Sequence, residues 1–484
     1  MTYFNISLCI IAAFLLLTLM VGICFSRQKI TFREYAVGNK QFATATLVAT
    51  VLATSYGGGG FIRNVQYVHK LGLYWIILVS FVDSFSIWLF SRLMLRMGPF
   101  MHNLSIAETI GNVYGKYPRI ITALVGICQS IIGIAMQIIA MVYMVSVCVG
   151  LNLVNSQIIT ILAALILIAY SVFGGVRAVT ITDILQFITF TTIIPFLAWL
   201  MFKTTGKSIV EVFVFLQTQE KFQVSSLRQF DMNLSAIIAI ALCIMVPDIG
   251  APEVMQRAYM SSGAHQAQKV FSYVSFFSFL IIGFILLISL FVFVGGGVGL
   301  PSEAIWHYII MNTSPLFKGM VCISLLAMAM STADSCLHVC SVMVSHDIMA
   351  TIQEEIDDVR KLKIARSTTL VVGLASMFLA FYCKDLVELL MLGFAFSLPV
   401  VTAPALLAVF GFRGTSRTAL IGMATGALAI LVWNQWVEPV TEINGAFICM
   451  LANGLAMMAA HYLLKQPESA GWVGTSVITI VKTF

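Results

Sequence analysis

The chain has 484 residues, 60% of them hydrophobic and only 10% charged, with a formal net charge of +6. Soluble globular chains average about 45–50% apolar and about 25% charged residues, so an ordinary soluble domain is excluded. The basic residues are dispersed in short stretches between apolar runs, which excludes nucleic acid as a partner and leaves the lipid bilayer.

A helix needs about 20 apolar residues to cross about 30 Å of hydrocarbon. Such runs fall at 4–25, 42–66, 72–95, 119–148, 153–173, 181–203, 233–250, 270–297, 315–346, 364–383, 386–409, 417–436 and 441–464. Barrel strands would alternate over segments of about 10 residues, a pattern this chain lacks. The expected fold class is an all-α polytopic membrane protein of about 13 transmembrane helices in a single transporter domain. Shorter, less apolar helices are expected at 104–115, 251–264 and 302–312.

The first run, Phe4 to Phe25, is too long for the apolar region of a signal peptide. Arg27, Lys29 and Arg33 follow it rather than a small-residue cleavage site. It reads as a retained, peripheral first helix with the N-terminus outside. Nineteen basic residues, Arg257 among them, then fall in inside loops and eight, Arg63 among them, outside; together these are all 27. That bias places the C-terminus in the cytoplasm and the protein in the plasma membrane, or the inner membrane of a bacterium. The ten cysteines show neither disulfide nor metal-ligand spacing and read as packing residues.

Two runs carry helix-breaking residues. In 42–66, Tyr56 precedes Gly57, Gly58, Gly59 and Gly60. Each glycine costs a helix about 1 kcal/mol relative to alanine, so four together are expected to unwind it. In 233–250 and just beyond, Pro247-Asp248-Ile249-Gly250-Ala251-Pro252 has the same effect, because each proline removes a backbone donor and clashes with the preceding turn. Unpaired backbone survives in a membrane only where it lines a cavity or binds something. Matched breaks in two halves point to a transporter site built from inverted repeats. The repeats are expected at 42–203 and 233–409, five helices each, followed by two C-terminal helices at 417–464.

Within 315–346, Ser324, Ser331, Ser335, His338, Ser341 and Ser345 share one helical face, flanked by Thr332 and Asp334. Hydroxyl stripes serve as interhelical contacts, but an intramembrane aspartate needs a partner or a function. Hard cations take oxygen ligands, and paired hydroxyls at Ser331 and Thr332 with carbonyls freed by a broken helix would supply them. His338 reads as a hydrogen-bonded structural group.

At these residues the chain resembles the sodium:solute symporter family. The resemblance is carried by Phe173-Gly174-Gly175-Val176-Arg177-Ala178-Val179 with Thr182, Asp183 and Gln186, and by Ala329-Met330-Ser331-Thr332-Ala333-Asp334-Ser335. A third stretch, Ala53-Thr54-Ser55-Tyr56 with the glycines and Phe61-Ile62, is nearest to the high-affinity choline transporter branch, as is Gln256-Arg257 with Ser261-Ser262. The resemblance implies a LeuT-like fold of inverted five-helix repeats. It also implies a Na+ site made by carbonyls of Ala53, Tyr56 and Met328 and hydroxyls of Ser331 and Thr332. Asp183 matches a family aspartate on the inward path of the cation, a path to which Asp334 is also assigned; Asp183 alternatively caps a helix N-terminus.

The choline branch places tryptophans where this chain has Ser55 or Tyr56, and Ala251, so an aromatic cage for choline is not expected. The candidate solute-contact residues are Ser55, Tyr56, Gly58, Gly59, Asp83, Asp248 and Ala251, the aspartates suiting an amino or other cationic group. Asp83 alternatively pairs with Arg92, and Asp248 caps the resumed helix. No catalytic constellation is present, so the chain is expected not to be an enzyme and to need no organic cofactor. Na+ is expected as the co-transported ion. A small-molecule solute and the bilayer are the expected partners, with no nucleic acid and no obligate protein partner. The expected activity is Na+-coupled symport by alternating access. Proton coupling through Asp183 or Asp334 is one alternative, and a transporter-like solute sensor is another.

Overall fold

The computed structural model describes residues 6–25, 30–150, 153–225, 234–247, 249–353, 356–382, 397–468 and 470–473. Asp248 and much of the expected span at 386–409 lie outside the described residues. The chain forms α1 (Ile6–Cys24), α2 (Phe32–Val37), α3 (Thr44–Ser55), α4 (Gly58–Leu71), α5 (Leu73–Phe100), α6 (Ile106–Tyr114) and α7 (Lys116–Val149). There follow α8 (Leu153–Thr204), α9 (Ile209–Thr218), α10 (Leu234–Met245), α11 (Pro252–Tyr259), α12 (Ala264–Gly296) and α13 (Ile305–Met311). The last helices are α14 (Pro315–Ile352), α15 (Asp358–Tyr382), α16 (Leu398–Phe410), α17 (Ser416–Thr441) and α18 (Ala446–Leu463).

Among the described residues nine helices are long and apolar enough to cross a membrane, and the bent pair α3–α4 makes a tenth. The described residues alone do not reach the expected thirteen, and the shorter apolar helices Gln157–Val172 and Leu398–Phe410 overlap two more of the expected runs. The expected runs at 153–173 and 181–203 return as the two halves of α8, an apolar helix over Gln157–Val172 and a span over Gly174–Thr204, meeting at a kink at Gly175, whose φ of 57° and ψ of −171° leave the helical region. That conformation suits glycine, and a Cβ there would meet the Tyr35 ring at 2.8 Å. The run at 233–250 contains only the 12 helical residues of α10 before its break.

The first break is narrower than the glycine run implies. α3 ends at Ser55, Tyr56 and Gly57 take extended or intermediate dihedrals, and α4 resumes at Gly58 with a 62° change of direction. Gly58, Gly59 and Gly60 are helical because packing overrides propensity: a Cβ on Gly58 would sit 3.0 Å from the Leu325 carbonyl of α14. At Gly58 the small size admits close contact rather than unwinding, whereas a Cβ on Gly60 would meet nothing within 4 Å. The second break falls after Met245, the last residue of α10, and Pro252 restarts the helix as the first residue of α11, where a missing N–H costs nothing. Its freed carbonyls are partly satisfied: Ser86 donates to Val246 O at 3.4 Å and Ser397 to Gly250 O at 3.2 Å.

Around these breaks α14 is the central helix, packed against α1, α7, α8 and α15. The expected stripe faces inward, with Ser324, Ser331, Ser335, His338, Ser341 and Ser345 all buried. His338 Nε2 lies 3.4 Å from Ala36 O, and Tyr35 and Ser341 share a 2.9 Å hydroxyl contact. Besides the short α2, two further elements were absent from the expectations. One is α9, started by a capping box in which Ser208 and Glu211 satisfy each other's backbone amides. The other is a two-residue antiparallel pairing of β1 (Phe412–Arg413) with β2 (Gly471–Trp472).

At the C-terminal pair α17–α18, Gly426 lies so close to α16 that a Cβ would meet Pro399 O at 2.2 Å. Because a backbone carbonyl cannot turn aside, Gly426→Ala is expected to destabilise the protein by about 1–3 kcal/mol, the range for overpacking. Thermal melting in detergent reads it, and an unchanged melting temperature would show that α17 shifts freely.

Candidate cation and solute site

The first break sets up one cluster of oxygens. In an unbroken helix the Ala53 and Thr54 carbonyls would accept from the amides of Gly57 and Gly58. The turn at Tyr56–Gly57 removes that register and leaves a helix C-terminus, the negative end of its dipole, in the protein interior. Met328, Ser331 and Thr332 stand at i, i+3 and i+4 on α14 and therefore on one face. Ser331 Oγ donates to Ala53 O at 2.7 Å and lies 3.1 Å from Met328 O. Thr332 Oγ1 donates to Thr54 O at 3.0 Å and lies 3.2 Å from Met328 O. Three carbonyl and two hydroxyl oxygens thus converge from α3 and α14, a neutral, hard donor set suited to a small cation.

Four of the five expected Na+ ligands, Ala53, Met328, Ser331 and Thr332, are brought together. The fifth, Tyr56, stands at the break, with its phenol turned away to donate to Ser278 O of α12 at 3.0 Å. The Thr54 carbonyl is absent from the expected set, although its position next to Ala53 at the end of α3 makes it available.

One turn along α14 the oxygens continue into a charged network. Ser335 Oγ shares a 2.9 Å contact with Thr54 Oγ1 and also receives the Arg257 guanidinium. The same guanidinium nitrogen is paired with Asp183 Oδ2 at 3.2 Å, and Thr50 Oγ1 donates to that carboxylate as well. Asp183, Arg257 and Ser335 are fully buried. Asp334 is buried too, but its Oδ2 accepts only from hydroxyls, Tyr170 at 2.8 Å and Thr182 at 3.4 Å. Asp183 is inside α8, eight residues beyond the bend at Gly175, so it is not a helix cap.

Arg257 is the largest departure from the expectations. It is no inside-loop residue but the sixth residue of α11, with its side chain wholly enclosed. An arginine following a helix break inside an apolar stretch is a signal of burial that the loop count overrides.

The candidate solute residues do not form one surface. Gly58 is closed off by α14, and Gly59 N approaches Gln137 Oε1 of α7 at 3.5 Å. Ala251 is fully buried as the residue that precedes α11. Ser55, by contrast, is exposed at the end of α3. Asp83 ends a π turn, Leu78–Asp83, within α5 and is half-buried. It does not pair with Arg92, whose guanidinium lies over the Trp88 ring at 4.9 Å. Its charged neighbour is Arg63 of α4, likewise placed inside the bent span rather than in an outside loop.

The sodium:solute symporter family profile matches residues 35–426, most of the chain. The chain belongs to the sodium:solute symporter family. It is 26% identical over 309 residues to sodium/proline symporter 2 of Staphylococcus saprophyticus subsp. saprophyticus. That match takes in 59% of this chain and 57% of the relative, so the chain matches a little over half the length of its curated relatives. Among solved structures it superposes on a substrate-bound, outward-open Na+-coupled sialic acid symporter with a TM-score of 0.86 at 18% identity, covering 97% of this chain and 99% of the other. MhsT in complex with L-phenylalanine gives a TM-score of 0.53 at 12% identity, over 87% and 98% of the two chains. These likenesses establish the LeuT-like fold. The nearness to the choline branch rests on the motifs alone.

Proposed function

We propose that this symporter couples the inward movement of Na+ to uptake of a small organic solute bearing an amino group, by alternating access. The observation that carries the reading is the convergence of five neutral oxygens from α3 and α14 at the first break. An ion there bridges a broken helix to the central helix, so its binding favours one arrangement of the two. Linkage then requires that the solute raise Na+ affinity by the factor by which Na+ raises solute affinity. An inside-negative potential contributes about 2.3 kcal/mol per charge per 100 mV to the cycle. The oxygens of Ser335, Asp183 and Asp334 continue from the site and supply a polar route for the ion through the buried interior.

The test is uptake into proteoliposomes holding the full chain, with a panel of labelled amino acids and amines. Saturable uptake is expected under an inward Na+ gradient, faster with an inside-negative potential, and lost when K+ replaces Na+. Equal uptake in K+ driven by an acid outside would reject sodium coupling. The proton-coupled reading has one observation in its favour: Asp334 is buried and its Oδ2 accepts from the Tyr170 and Thr182 hydroxyls, a setting that suits a carboxyl that carries a proton.

A further inference from the structure

Arg63 and Asp83 are charges placed inside membrane spans, Arg63 six residues beyond the break at Gly57 on α4 and Asp83 at the end of the π turn of α5. Either charge costs at least ~2.5–3.5 kcal/mol at mid-membrane unless it is paired. Where this protein only needs to bury opposite charges, it closes them into contact, as Arg257 and Asp183 do at 3.2 Å. Arg63 and Asp83 are left apart. They feel each other electrostatically, yet none of the four ion pairs that close within 4.0 Å among the described residues joins them.

Among the described residues neither group closes an ion pair or a side-chain hydrogen bond, and Arg63 has the face of the Trp75 ring beside it. Arg63 makes no hydrogen bond among the described residues; its Nε is buried without a partner and its guanidinium carbon stands 5.8 Å from the centroid of the Trp75 ring. Asp83 accepts no hydrogen bond there either, and the Tyr56 phenol beside it is committed to Ser278 O. Both side chains are half-buried, so each keeps an open face. A π turn adds a residue to the helical ladder and often marks a functional position; here it sets Asp83 near the break from which Arg63 is also projected.

We infer that Arg63 and Asp83 together recognise a zwitterion, an amino acid or betaine, with the carboxylate on Arg63 and the cationic nitrogen at Asp83. This deepens, and rests on, the reading of the first break as the transport site. A solute with only a cationic group would satisfy Asp83 but be repelled by Arg63, and an anion would meet the reverse. The guanidinium fork suits a carboxylate held through two parallel hydrogen bonds. A solute carrying both groups on one carbon offers each of the two side chains the opposite charge it lacks.

The test uses the purified full chain in saturating Na+ and follows ligand-induced thermal stabilisation. The probes are the twenty standard amino acids and glycine betaine, each of three chosen zwitterions being matched to its two halves: L-proline with pyrrolidine and cyclopentanecarboxylate, L-alanine with ethylamine and propionate, glycine betaine with tetramethylammonium and 3,3-dimethylbutanoate. D-galactose is the neutral control. At least one zwitterion is expected to bind ~10–100-fold more tightly than analogues lacking either charge, the range of a charge-assisted contact. Arg63→Gln is expected to remove that advantage over the amine, Asp83→Asn the advantage over the acid, and Arg63→Lys to restore part of it. Stabilisation by Na+ alone shows that each variant is folded.

Tightest binding by a singly charged or neutral probe, or binding by no zwitterion while Na+ still stabilises, overturns the inference. So does an Arg63→Gln variant that weakens every probe equally, since the pair then only closes on itself. If Na+ stabilises no better than K+, sodium coupling has failed instead, and the same panel in K+ still decides for or against a zwitterion.

Discussion

Ser331→Ala and Thr332→Ala are each expected to weaken Na+ binding ~10–100-fold, and the double substitution to abolish it. Each hydroxyl is one of five oxygens in the cluster, and an interaction between a neutral polar group and a charge contributes about 1.5–3 kcal/mol. The readout is the stabilisation that Na+ confers on the purified protein. A ligand at a hundred times its Kd stabilises by about 2.7 kcal/mol, so a hundredfold loss of affinity removes nearly all of it. Ser345→Ala is the control: it lies on the same face but bonds only within its own helix, to Ser341 O at 2.6 Å and Val342 O at 3.2 Å. Unchanged Na+ dependence in Ser331→Ala and Thr332→Ala would remove the cluster from the coupling mechanism.

Arg257→Gln is expected to destabilise the protein by about 3–5 kcal/mol, the penalty for stranding one member of a buried ion pair. It leaves Asp183 with the Thr50 hydroxyl alone and places a second uncompensated carboxylate near Asp334. Transport is expected to fall with it, because the same guanidinium holds Ser335, which contacts Thr54 at the end of α3. The double variant Asp183→Asn with Arg257→Gln separates the charge from the shape. Substantial recovery of melting temperature over Arg257→Gln is expected, since the stranded charge is gone. A double variant no more stable than the single would mean that Arg257 acts by filling space rather than by neutralising Asp183.

Much of the membrane architecture was legible because a bilayer imposes length and hydropathy on every helix that crosses it. The runs at 4–25, 72–95, 119–148, 270–297, 315–346, 364–383, 417–436 and 441–464 all return as long helices with ends within several residues. The position of the first break was legible from Tyr56 and its glycines, but not its extent. Gly58 to Gly60 look like unwound backbone in isolation yet are helical, with α14 against Gly58 and α7 against Gly59. Charge was the least legible property. Lys and Arg at the ends of apolar runs are ordinarily topological signals, and for Arg257 only the helix break just before it pointed to burial, while the carboxylate that pairs with it lies 74 residues away in sequence.

Composition, helix length and helix-breaking residues belong to the sequence by itself: the membrane class, the breaks, and the hydroxyl pair at Ser331 and Thr332 follow from local chemistry acting within a few turns. Only the tertiary structure decided that those hydroxyls meet the Ala53 and Thr54 carbonyls, that Arg257 pairs with Asp183 while Arg63 and Asp83 stay apart, and that Asp334 takes hydrogen bonds from the Tyr170 and Thr182 hydroxyls. The reason is physical. Periodicity reports which residues share a face of one helix, whereas contact between helices depends on their relative rotation and depth, set by packing over the whole bundle.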